Sequence, residues 1–167
     1  MIKIFNSLLV TMFGLGKIKF MPGTFGSLIT TILLFYLFHT LNISSNVILI
    51  GWMIIFIYSF YAISTHVVDN KNKDPGEIVI DELLGQSIPI YLYEISHGTT
   101  KESNEAVIYY LLFFFLFRYF DIAKPFPVNF FDKNFKNSFG VIMDDICAGI
   151  YVVLTVVCFM IVKSYVL

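Results

Sequence analysis

Three carboxylates crowd into six residues of this chain, Glu77, Asp81 and Glu82, within the stretch Asp74-Pro75-Gly76-Glu77-Ile78-Val79-Ile80-Asp81-Glu82-Leu83-Leu84-Gly85. A second acidic pair, Asp144-Asp145, stands much later in the sequence. Like charges held this close repel, so the arrangement costs free energy unless a cation sits among them. Carboxylates with no Cys pair and no His motif beside them suit a hard, oxygen-preferring ion, Mg²⁺ before Zn²⁺. Arg118, Asp121 and Lys124 recur at every third position up to Pro125, which stops a helix, so they share roughly one face at its end. A basic pair beside a cation suits a phosphate. So does the turn Met21-Pro22-Gly23-Thr24-Phe25-Gly26-Ser27, whose glycines and hydroxyls open a helix with free N–H groups.

Each of these residues also has a purely structural reading. Asp74, Pro75 and Glu77 spell a helix N-cap, a first-turn proline and a capping box, which predicts a helix from Pro75 with Glu77 and Asp81 four apart on one face. Thr24 or Ser27 can cap the helix that follows the glycine turn. Asp121 with Arg118 or Lys124 can be an intrahelical ion pair worth about 0.2–0.5 kcal/mol. Lys17 and Lys19 suit anionic headgroups. His39, His66 and His97 lie far apart without a ligand spacing and read as structural.

The elements that must position these groups are helical and greasy. The 167 residues have the size of a single domain spanning 1–167, with 57% hydrophobic, 18% aromatic and 14% charged residues. Soluble domains carry about 25% charged residues, so a membrane protein is expected. The formal charge of −1 argues against a nucleic-acid partner. Cys147 and Cys158 fall in one apolar run and read as buried apolar residues. Residues 1–10 lack the apolar core and cleavage site of a secretory signal.

Apolar runs occur at 28–41, 47–64, about 79–95, 106–120 and 146–162, two of them short for a core of about 30 Å. If the chain starts inside and crosses at each run, Lys3, Lys17, Lys19, Lys71, Lys73, Arg118, Lys124, Lys133 and Lys136 fall inside. Only Lys101 and Lys163 fall outside, the asymmetry of cytoplasmic loops. The same threading puts the glycine turn, residues 66–82 and residues 118–145 on one membrane face. Asp144-Asp145 then precede the last apolar helix, where Ala148 and Gly149 permit close helix approach.

Several phosphate chemistries are excluded by residue type. A cysteine nucleophile needs an arginine six positions on, where this chain has Val153 and Ser164. The single arginine and the missing Ser-Gly-His exclude the histidine-nucleophile lipid phosphatases, and no G-x-x-x-x-G-K-[ST] loop is present.

Four blocks, in order and spacing, resemble the phosphatidylglycerophosphatase A family. They are Pro22-Gly23-Thr24-Phe25-Gly26-Ser27-Leu28, Asp74 to Glu82, Phe117-Arg118-Tyr119-Phe120-Asp121-Ile122-Ala123-Lys124-Pro125-Phe126-Pro127, and Gly140 to Gly149. Met21 stands where a small residue is expected and Phe126 where Trp is usual. Asn137-Ser138 replace glycines.

The resemblance implies an all-α, membrane-embedded bundle of roughly four to five apolar helices around a central one. It implies a Mg²⁺-dependent enzyme of the bacterial inner membrane that hydrolyses phosphatidylglycerophosphate to phosphatidylglycerol. The carried-over site has Glu77, Asp81, Glu82, Asp144 and Asp145 as metal ligands, with Asp81 essential to turnover. Arg118 and Lys124 clamp the phosphate, Asp121 is the expected base, and Gly23, Thr24, Gly26 and Ser27 assist substrate binding. Competing expectations are a phosphatase for another lipid or prenyl phosphate, a small cation-binding transport protein and a non-catalytic membrane subunit. A conduit would carry ionisable groups inside successive spans, whereas here nearly all lie at one interface.

Overall fold

The computed structural model describes residues 2–69, 75–97 and 103–166, and among these the chain is helical with no strand. α1 (Ile2–Val10) leads through a short turn to α2 (Pro22–Phe35), which a π-helical turn extends to Thr40. α3 (Ser45–Asp69), α4 (Ile80–His97), α5 (Ser103–Ala123), the short α6 (Val128–Asn134) and α7 (Ser138–Val166) follow.

α4 is the central helix. On one flank Ile90 and Tyr93 join a core with Leu34 of α2, Tyr110, Phe113 and Phe117 of α5, and Ala148 and Val152 of α7. On the other, Ile80 and Leu84 join Val10, Ala62, Ile63 and Ile142 from α1, α3 and α7. Residues Pro22–Thr40, Ser45–Val67, Glu105–Ala123 and Ser138–Tyr165 are long and apolar enough to cross a membrane. Their outer faces carry exposed Ile32, Ile54, Ile57, Ile108, Phe115 and Phe159, the surface that lipid tails cover.

Small residues let the helices close on α4. The buried stripe of α2 is Gly23, Gly26, Ser27, Thr30, Thr31 and Leu34, at helical spacing. Its hydroxyls donate one turn back, Ser27 to Gly23 O (2.9 Å), Thr30 to Gly26 O (2.9 Å) and Thr31 to Ser27 O (2.8 Å), so no polar atom of this set is left unbonded at the contact. Where α4 meets α7, a Cβ on Gly149 would run into Gly85 O and a Cβ on Gly85 into Asp145 O. Backbone therefore lies on backbone, and one turn before each glycine stand Asp81 and Asp145. The glycine crossing is what brings these two acids level.

Several expectations change, among them the burial of the cysteines, since Cys158 is exposed on the outer face of α7 and Cys147 only partly buried. Pro75–Glu77 form only a 3₁₀ turn and α4 begins at Ile80, so Glu77 and Asp81 do not share a helix face. The break is held by an extended link in which Val79 N donates to Val10 O (3.0 Å). The cap expected at Asp74 lies outside the described residues. α2 starts at Pro22 with Met21 as its N-cap residue, so Thr24 and Ser27 sit inside the helix and do not cap it. α7 starts at Ser138, which places Asp144-Asp145 inside the last helix and not before it. The two spans that look short reach 19 residues each because their polar ends are helical too.

Candidate active site

Asp81 and Glu82 occupy the first turn of α4, and Asp145 projects from α7 beside them. One carboxylate oxygen from each of the three lies within 4.8 Å of the others. Asp81 and Asp145 are buried, and Asp81 Oδ1 and Glu82 Oε2 are buried with no hydrogen-bond partner. Three carboxylates converging out of water with unbonded oxygens have the chemistry to hold a hard, oxygen-preferring cation such as Mg²⁺. Gly23 makes room for this, because a Cβ there would collide with Glu82 Oε1 and lie 3.3 Å from Arg118 Nη1.

The basic groups border the same cavity. α5 ends at Ala123, and Lys124 takes a left-handed conformation (φ 44°) before Pro125. That turn swings its ammonium to Asp132 Oδ1 of α6 at 2.7 Å and Asp144 Oδ2 of α7 at 3.1 Å. Burial alone would lower the Lys124 pKa, but the hydrogen bonds and charges of Asp132 and Asp144 outweigh it and hold the pKa above its ordinary value. Arg118 Nη1 meets Asp121 Oδ2 at 2.8 Å and donates to Ser27 Oγ at 3.3 Å. Asp144 is thus bonded to Lys124, and its Oδ1 accepts from Asp145 N at 3.0 Å.

These groups line a cavity of about 430 Å³. Gly23, Thr24, Asp81, Glu82, Arg118, Asp121, Lys124, Asp144 and Asp145 all border it, drawn from α2, α4, α5 and α7. Met21 and Ile122, both exposed and apolar, form part of its wall. Glu77, Gly26 and Ser27 are not among its lining residues. Glu77 presents its backbone oxygen to Gly16, Gly26 packs on Val79, and Ser27 stands behind Arg118.

One residue that borders the site, Asp132, and one buried on the same helix as Asp81 and Glu82, Gln86, are not singled out by the sequence as site residues. Asp132 lies in the loop-like stretch after Pro127, and only its acidity within an aromatic segment marks it. Gln86, fully buried one turn beyond Glu82, interrupts an otherwise apolar run. At the other end of the bundle His39 Nε2 lies 3.2 Å from Glu94 Oε1, which also accepts from the Tyr110 hydroxyl at 3.2 Å.

The family model described as Phosphatidylglycerophosphatase A matches residues 8–160. A protein of Haemophilus influenzae named phosphatidylglycerophosphatase A is 38% identical over 149 residues, covering 89% of this chain and 85% of its own. The phosphatidylglycerophosphatase A of Escherichia coli is 31% identical over 145 residues, 86% of this chain and 76% of its own. A Bacteroides thetaiotaomicron protein with the provisional name phosphatidylinositol-3-phosphatase is 32% identical over 146 residues, 86% of both chains. No solved structure matches.

Proposed function

The chain belongs to the phosphatidylglycerophosphatase A family, and we infer that it hydrolyses phosphatidylglycerophosphate to phosphatidylglycerol and inorganic phosphate. The observation that carries this reading is the convergence of Asp81, Glu82 and Asp145 facing Lys124 and Arg118 around one cavity. A phosphate monoester carries two charges and three terminal oxygens, and this arrangement answers both.

Asp81, Glu82 and Asp145 would hold Mg²⁺. When bound, the ion supplies positive charge to the phosphoryl oxygens and makes a water more acidic. Lys124 donates to a non-bridging oxygen from a position fixed by Asp132 and Asp144. Arg118 reaches the cavity from a perch on Asp121 and Ser27. Asp121 meets that guanidinium through Oδ2, and its second oxygen is the proposed acceptor of the proton released by the attacking water. The leaving alkoxide of the glycerol headgroup takes a proton from solvent. Gly23 and Thr24, at the start of α2, border the cavity; the Thr24 N–H is given to Met21 O (3.0 Å), which leaves the Gly23 N–H as the backbone donor proposed for a phosphate oxygen.

The site faces the cytoplasm of a bacterial inner membrane in this reading. Lys17, Lys19, Lys133 and Lys136 lie in segments at the same end of the bundle as the acids, and Lys163 lies at the far end of α7. The apolar rim at Met21 and Ile122 suits a headgroup that enters while its acyl chains stay in lipid.

The deciding experiment incubates detergent-purified protein with phosphatidylglycerophosphate, with and without Mg²⁺, and follows phosphate release and lipid product. Phosphatidylinositol 3-phosphate is run beside it because one relative carries that name. Metal-dependent release from the first lipid alone is expected; release only from the second reassigns the substrate, and none from either removes the enzymatic reading.

A further inference from the structure

Gln86 is fully buried on α4, and neither atom of its amide has a hydrogen-bond partner. A buried amide left unbonded costs about 1–3 kcal/mol on mutational scales, and lipid cannot supply the missing bonds. Two further buried atoms, on residues that line the cavity, are also without partners, and they are complementary to it. Glu82 Oε2 is an acceptor, and Arg118 Nε is a donor. Residues 82 and 86 stand at i and i+4 on one helix, so their side chains share a face. Arg118 flanks the same carboxylate, since a Cβ on Gly23 would meet both. α5 touches α4 at this depth, where a Cβ on Gly85 would lie 2.8 Å from Phe117 Cε2. A primary amide can serve both neighbours at once, donating from Nε2 and accepting at Oε1.

We propose that Gln86 is a positioning residue of the active site, its amide joining the Glu82 carboxylate to the Arg118 guanidinium through buried water. It acts through those two side chains and touches neither the ion nor the lipid. Held from behind, Glu82 keeps an oxygen turned to the cation. Arg118, whose Nη1 is engaged by Asp121 and Ser27, gains an anchor at Nε. The inference rests on the metal-site reading above.

The test is Gln86→Leu in the full chain, purified in detergent. A glutamine that bonds nothing is replaced by leucine of similar volume at no loss, or with a gain in unfolding temperature. A glutamine that orients a ligand behaves otherwise. Metal affinity, followed by Mn²⁺ binding in electron paramagnetic resonance, falls about 10- to 100-fold. kcat falls in parallel, and KM for the lipid moves much less. In a Glu82→Gln background the same replacement adds little further loss, because the two act as one unit.

Unchanged Mn²⁺ affinity and kcat in Gln86→Leu overturn the proposal. Gln86→Met is the substitute where the leucine form is not recovered from membranes. Asp81→Asn is measured alongside. Should it keep full metal affinity, the metal site itself falls and this inference with it; should it lose affinity while Gln86→Leu keeps it, only the role of Gln86 falls.

Discussion

The carboxylate of Glu82 fills the space that a side chain on residue 23 would need, with Glu82 Oε1 in collision range of a Cβ built on Gly23. Any side chain at residue 23 would compete with the end of the Glu82 side chain for this space. Gly23→Ala must push either the carboxylate or the helix aside. We expect kcat/KM to fall at least about tenfold, as a displacement of roughly 1 Å at reacting groups does. Shortening the acid in the double variant Gly23→Ala, Glu82→Asp should return part of the loss. A Gly23→Ala protein with parental kinetics would show that the contact is not needed.

Asp81→Asn removes one charge from a buried trio that no described lysine or arginine pairs directly. Turnover should be lost while the helical content and membrane insertion persist. Without metal, the variant should be more stable than the parent, since mutual repulsion among the acids is relieved. With saturating Mg²⁺ that order reverses: the parent gains about 2.7 kcal/mol at a hundredfold excess over Kd, and the variant does not. Thermal unfolding with chelator and with Mg²⁺ reads both halves of the claim.

Lys124→Met should cost about 10²–10³ in kcat, the scale for deleting one donor to a transition-state oxyanion. It also strands Asp144, which is buried. Because the folded pKa of Lys124 is raised, its contribution to stability is complete below its unfolded value of about 10.4 and is lost only as pH climbs through the higher folded value. The gap in unfolding temperature between parent and Lys124→Met should thus stay constant from about pH 8 to about pH 9.5. A gap that closes within that window would mean the lysine is not held by the two aspartates.

Met21 adopts φ 49° at the start of α2, in the left-handed region, with its side chain half exposed. An L side chain in that region costs about 1–2 kcal/mol, and little packing would be lost on removing this one. Met21→Gly should raise stability by about 1 kcal/mol. Thermal melts of the two purified proteins decide it, and a lower melting point for the glycine form would mean that Met21 packs more than its exposure implies.

The apolar runs and the order of the motif blocks carry the all-α bundle, because helix length and lipid-facing greasiness are local properties. Helix ends were less legible. Pro75 and Glu77 look like a helix start, yet the tertiary bond from Val79 N to Val10 O keeps residues 78–79 extended. Asp144-Asp145 separate Ser138 to Met143 from the long apolar run at 146–162, so the first turns of α7 read as part of the polar stretch before them. Residue types alone marked Asp81, Glu82, Asp121, Asp144 and Asp145 as candidates but not their partition. Asp144 differs from Asp145 because successive residues of a helix point about 100° apart, one toward Lys124 and one toward Asp81. Asp132 and Gln86 become visible only once α6 and α4 are placed, since neither sits in a recognisable spacing.

The helix that carries Asp81 and Glu82 packs most extensively against α7, which follows it in the chain by about forty residues. Among the described residues α4 is also not one of the helices apolar enough to cross a membrane by itself. A nascent chain still lacking α7 therefore offers the insertion machinery a helix with bare glycine and two unbalanced acids. Its neighbours α2 and α3 can shelter it, but Asp145 arrives only with α7. Assembly of the acid trio is consequently tied to insertion of α7, since Asp81 and Glu82 lack the third carboxylate of that trio before it docks.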